Sequence, residues 1–144
     1  MKSHDELIFE AIGQLQALSH IFIRKRADLA KQAGLTEAQW RLLDEIAQEA
    51  FMPSMFAAQR ENSKAAVSKT LRQLTDAGLI TVAIASGDAR QRKYSLTPLA
   101  EKKLKQLKQL REAAIDEVWR PIDRKLLAQA VKFNEQLIMR LKAQ

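Results

Sequence analysis

The sequence predicts a mainly α-helical fold carrying one small β wing of two to three strands. Three observations predict it. Apolar residues recur at helical spacing near both ends of the chain, as Ile8, Ile12, Leu15, Leu18 and Phe22, and again as Leu126, Ala130, Phe133, Leu137 and Leu141. One β-branched run, Ile80-Thr81-Val82-Ala83-Ile84, is followed after a charged loop by Tyr94-Ser95-Leu96. Gly34, Gly78 and Gly87, with Pro53, Pro98 and Pro121, stand at the joints between these segments.

Each element has a local reason. Ser3-His4-Asp5-Glu6 is a capping box, in which the Ser hydroxyl and the Glu carboxylate satisfy each other's backbone donors. The first helix then runs to about residue 30 and is closed by Gly34. Thr36 caps a second helix, whose inner face is either Trp40, Leu43 and Ala47 or Leu42 and Ile46. After Phe51-Met52-Pro53-Ser54, a short apolar helix is expected over about 55–60. Asn62-Ser63 makes a turn and N-cap for a helix over about 64–77, stopped by Gly78. The hairpin follows. Thr97-Pro98 opens the next helix, because a proline in the first turn gives up an N–H that would be unpaired anyway. Pro121 ends it, and the last amphipathic helix begins near Ile122.

Composition narrows the function classes. The chain is 47% hydrophobic and 28% charged, with no apolar run near the roughly 18 residues a membrane span needs. The start MKSHDELIFEAIGQ lacks a signal-peptide pattern, so the expected location is the cytoplasm, with no membrane partner. There is no cysteine, and His4 and His20 have no ligand-spaced neighbours, so no metal or cofactor is expected. No Gly-rich phosphate loop and no Ser-His-Asp or Cys-His set is present, so the chain is not read as an enzyme. The net charge of +7 is concentrated: residues 88–111 hold eight cations against Asp88 and Glu101. Positive charge gathered in this way is the footprint of a polyanionic partner.

With Val67 at the centre of the inner face of the 64–77 helix, Leu71 and Leu74 fall beside it. Ala65, Lys69, Arg72 and Asp76 then face outward, with Ser63, Lys64 and Ser68 near the N-terminal end. An ordinary amphipathic surface helix has the same wheel. A short helix, a polar turn, a second helix with small, hydroxyl and basic residues outward, and then a hairpin with a basic loop make a winged helix-turn-helix. In that arrangement Gly87 allows the loop to turn. Asp88 orients an arginine, and Arg90, Arg92 and Lys93 meet phosphate or the minor groove.

The sequence resembles the MarR-type winged helix-turn-helix regulators of bacteria and archaea. The resemblance is carried by LTEAQWRLLDEI (35–46), SKAAVSKTLRQLTDAGLI (63–80) and GDARQRKYSLTPLAEKKL (87–104). It implies transcriptional control, most often repression, through sequence-specific binding of double-stranded DNA. A homodimer on an inverted-repeat operator and a small aromatic effector are implied as well. The parts would be an N-terminal dimerisation helix (1–33), a DNA-binding region (34–97) and C-terminal dimerisation helices (98–144), together one structural unit. Carried over by position, Ser63, Lys64, Ser68, Lys69 and Arg72 match the recognition helix, and Asp88, Arg90, Arg92 and Lys93 the wing. Arg60-Glu61-Asn62 departs from the family's usual apolar-Gly-apolar turn. Without cysteine, the oxidant-sensing mechanism of one branch is ruled out. The alternative reading is a winged helix that contacts proteins without binding specific DNA.

Overall fold

The computed structural model describes residues 1–48, 51, 63–84 and 92–144. In chain order these form helices α1 (His4–Gln32) and α2 (Glu37–Ile46), then α3 (Lys64–Asp76) and strands β1 (Ile80–Ile84) and β2 (Arg92–Leu96). Helices α4 (Pro98–Val118) and α5 (Arg124–Lys142) follow. The expected short helix over about 55–60, the turn at Arg60-Glu61-Asn62 and the loop residues Gly87, Asp88 and Arg90 lie outside the described residues.

The helix starts follow the side-chain chemistry of the sequence. Ser3 and Glu6 form the α1 capping box, and Thr36 and Gln39 form one for α2. Ser63 Oγ accepts from the Ala66 N–H at the start of α3. Thr97 does double duty at the wing–α4 joint: its hydroxyl donates to the Gly78 carbonyl at 2.7 Å and accepts from the Ala100 N–H at 3.3 Å. Gly34 and Gly78 take φ of +74° and +72° just past α1 and α3, the left-handed region where a Cβ is costly. At the last helix the structure differs from the sequence reading. α5 starts at Arg124 rather than near Ile122, because Asp123 Oδ2 accepts from the Leu126 N–H at 3.2 Å and acts as N-cap. Ile122 belongs to the preceding turn, donating its N–H to the Trp119 carbonyl.

The chain divides into two compact units, Met1–Leu107 and Lys108–Gln144, with the division inside α4. The first unit holds all the described core. Leu42, Leu43, Leu74 and Leu107 are its largest fully buried side chains, joined by Trp40, Val67 and Leu71. Both faces proposed for α2 contribute to the core, with Trp40, Leu42, Leu43 and Ile46 inside, while Ala47 is exposed. They span an arc of about 160° on the helix, and α2 packs against α1, α3 and β2. Cutting Leu43 or Leu74 to Ala in such a core costs about 2–5 kcal/mol. Leu107, on α4, is 0% exposed and belongs to this core. In the second unit, α5 buries none of its residues.

The hairpin is antiparallel, two strands among the described residues, in register Ile80↔Leu96 through Val82↔Tyr94 to Ile84↔Arg92. Alternation puts Ile80, Val82, Ile84, Arg92, Tyr94 and Leu96 on one face. Thr81, Ala83, Lys93 and Ser95 take the other. Ile80 is buried at the foot of the wing while Ile84 stands exposed towards its tip.

Candidate nucleic-acid interface

α3 turns Val67, Leu71 and Leu74 into the core, as the helical wheel requires. The opposite side is exposed and carries Ala65, Lys69, Arg72 and Asp76, with Ser63, Lys64 and Ser68 at the N-terminal end. The structure thus gathers all five sequence-derived α3 candidates on one solvent-facing helix. Their states differ. Ser63 spends its hydroxyl on the Ala66 N–H at 3.0 Å, leaving its hydrogen to donate. Lys64, Lys69 and Arg72 form no ion pair with any described residue. Three unneutralised cations on a small-residue helix face form an electropositive surface on which the backbone can approach a polyanion closely.

On the wing, Arg92 and Lys93 are both exposed, on opposite faces of the hairpin. Arg92 pairs with Ile84 on the face shared with Val82 and Tyr94, and Lys93 lies with Thr81 and Ser95 on the other. Neighbours in a strand point to opposite faces, a consequence of the two-residue period. Asp88 and Arg90 lie outside the described residues.

Two polar assemblies support α3 and α2, and sequence spacing had not revealed either. Arg26, from α1, sets its guanidinium 3.8 Å from the Trp40 ring centroid. Its Nε donates to Glu37 Oε1 at 2.9 Å and Nη2 reaches Asp44 Oδ2 at 3.5 Å. Arg41 donates to the same Glu37 oxygen at 2.7 Å. Trp40 is 4% exposed with one face under Arg26, so it is a core residue rather than a ligand-stacking surface. The second assembly runs from α2 to α3: Gln39 Oε1 accepts from the Thr36 N–H at 3.0 Å and its Nε2 donates to Gln73 Oε1 at 3.2 Å. A recess of about 210 Å³ lies between the same helices, lined by Glu37, Arg41, Leu42, Ala66, Val67 and Thr70 among others. The local signals for these contacts are the Thr-x-x-Gln capping pattern and the four-residue spacing of Glu37 and Arg41. The partners are otherwise distant in sequence.

These elements define a winged helix-turn-helix protein. Residues 33–91 match the model of the MarR family. Solved structures extend the likeness in fold over nearly the whole chain. YusO from Bacillus subtilis is 23% identical with a TM-score of 0.74, covering 96% of this chain and 99% of that one. Staphylococcus aureus MarR, in complex with salicylate and kanamycin, is 20% identical with a TM-score of 0.76, at 96% and 94% coverage. A variant of S. aureus MepR bound to an oligodeoxyribonucleotide is 17% identical with a TM-score of 0.63, at 91% and 97% coverage. No curated protein sequence matches the chain at a significant level.

Proposed function

We propose that this chain is a sequence-specific, double-stranded-DNA-binding transcriptional regulator, a repressor released by a small aromatic ligand. It works in the cytoplasm as a homodimer on an inverted-repeat operator. The observation that carries the reading is the exposed face of α3, where Lys64, Ser68, Lys69 and Arg72 stand unpaired on a winged helix. Such a helix enters the major groove and offers its outward side chains to base edges and phosphates. Two proteins of the same fold support the parts of this proposal: a MepR variant was captured on an oligodeoxyribonucleotide, and a MarR protein with salicylate, an aromatic acid. The exposed apolar residues of α1 and α5, Ile8, Phe9 and Ile12 with Phe133, Ile138 and Leu141, supply the surface that a second copy would cover. Among the described residues no helix is long and apolar enough to cross a membrane. Nothing in the mechanism calls for a metal, a cofactor or catalysis.

The test is selection of bound duplexes from a random pool, followed by titration of the selected duplex at several salt concentrations. An inverted repeat with half-site centres about one helical turn apart should emerge. Its affinity should fall steeply with salt, with a log–log slope near −0.9 per phosphate contacted. Binding that is sequence-blind, or absent at about 50 mM salt, would instead make the fold a protein-contact module.

A further inference from the structure

Gln39 and Gln73 form the one described side-chain hydrogen bond between α2 and α3, and its geometry fixes which atoms face outward. The capping box requires the oxygen of Gln39 to face the Thr36 N–H, so its amide nitrogen is the group turned toward α3. Gln73 must therefore present its own oxygen to Gln39. A lone exposed glutamine turns freely about three side-chain bonds, and fixing it costs up to about 2 kcal/mol. Here the fixing is already done in the free protein. Gln39 is half-buried, anchored in the first turn of α2, and Gln73 is exposed on α3.

The groups left over on Gln73 are specific. Its oxygen keeps a second lone pair and its NH₂ keeps both hydrogens. An acceptor beside a donor is the complement of the major-groove edge of adenine, which offers the N6 amino hydrogen and the N7 lone pair. Gln73 lies four residues after Lys69, so it sits on the same flank, about 40° round and about 6 Å further along the helix axis. That rise is roughly two base-pair steps.

We infer that Gln73 is a specificity-determining residue that reads an adenine in the major groove, and that Gln39 is the positioning residue holding its amide in the reading orientation. The inference rests on the DNA-binding function proposed above. Arg72 and Lys69 supply charge and guanine- or phosphate-directed donors; Gln73 adds the discrimination that neither cation can make. The function of Gln39 passes wholly through Gln73.

The experiment compares duplexes selected from a random pool by the parent, Gln73→Ala and Gln39→Glu proteins, with thermal unfolding run alongside. The parent should select an inverted repeat with a fixed adenine in each half-site. Gln73→Ala should select the same repeat while losing preference at that adenine by about fivefold or more, with the other positions unchanged. Gln39→Glu keeps an oxygen for the Thr36 N–H, so the melting temperature should hold. The new carboxylate cannot donate, so Gln73 must turn its amide over and present the groove with donor and acceptor exchanged. The same base position should change, which a merely structural role for Gln39 would not produce. An unaltered Gln73→Ala profile overturns the inference, as does a loss equal on all sequences, which marks a phosphate contact. A Gln39→Glu profile identical to the parent's overturns the positioning role. If the parent selects no sequence, the regulator reading itself falls, and this assignment falls with it.

Discussion

Arg26 makes three kinds of contact from one planar group: it stacks on Trp40, donates to Glu37 and reaches Asp44. A flat, delocalised cation suits this place because an ammonium could satisfy the carboxylates or the ring, but not both at full strength. The side chain is 31% exposed, so the ion pairs are partly screened and the stacking carries much of the effect. Arg26→Ala should lower the unfolding free energy by about 1–2 kcal/mol, and Arg26→Lys should recover less than half of that, measured by urea denaturation at fixed protein concentration. The cations proposed to face DNA should behave in the opposite way. Arg72→Ala on exposed α3 should leave stability within about 0.5 kcal/mol. It should weaken operator binding by about 1–3 kcal/mol with a changed base preference if it reads a base, which anisotropy titration against permuted operators would detect. A loss equal on every sequence would mark it as a phosphate contact. Arg90→Ala, between β1 and β2 in sequence, should fold and assemble as the parent does. Its operator affinity should drop and its salt slope shrink by about one. Affinity equal to the parent's at about 150 mM salt would make the wing loop an ordinary charged turn.

Gly34 and Gly78 have nearly the same backbone angle, yet they should not tolerate substitution equally. A Cβ on Gly78 would meet nothing within 4 Å, so Gly78→Ala should cost only the left-handed backbone term, about 1–2 kcal/mol. At Gly34 the Cβ would come within 3.3 Å of Lys103 Nζ, which donates to the Ala33 carbonyl at 2.6 Å and so caps the end of α1 from α4. Gly34→Ala should therefore cost more than Gly78→Ala, and thermal melts of the two variants would show the order. The elements themselves were largely legible in the sequence. Caps such as Ser3-x-x-Glu6 and Thr36-x-x-Gln39 depend on residues three apart, so their chemistry is written locally. The α3 faces follow from a 100° repeat and hold at every buried position. Legibility ended where partners came from afar. No wheel could show that Leu107 packs inward, that Arg26 reaches Trp40, or that Gln39 reaches across to Gln73. Arg92 and Lys93 lie on opposite faces of the hairpin, a placement that strand alternation alone makes legible.

At the scale of the whole molecule, burial is uneven. α1 has 29 residues, about 43 Å of helix, yet Ala30 is its only buried residue. Phe9 is 74% exposed, and on α5 Met139 is 72% exposed. A water-soluble chain rarely leaves so much apolar area uncovered unless another surface closes on it. The homodimer proposed above should bury over roughly 2,000 Å² in total, largely apolar. Light scattering at micromolar concentration should return twice the 16.3 kDa of one chain. A mass of one chain would remove the dimer from the proposal. The charge is equally uneven, with most of the net +7 in residues 88–111, so salt should act on DNA affinity far more than on assembly.

The absence of any buried residue in α5 bears on how the protein is kept in the cell. A helix of 19 residues whose best-covered side chains, Leu127 and Leu137, are only half-buried gains little from packing within one chain, and such a helix alone is marginal in water. Its amides should exchange with deuterium quickly in dilute solution and slow down as protein concentration rises, while those around Leu43 and Leu74 stay protected at both extremes. Proteases that attack open helices would then degrade solitary copies faster than assembled ones. A protein built this way would have its abundance trimmed from below: chains too sparse to find each other would be the first removed.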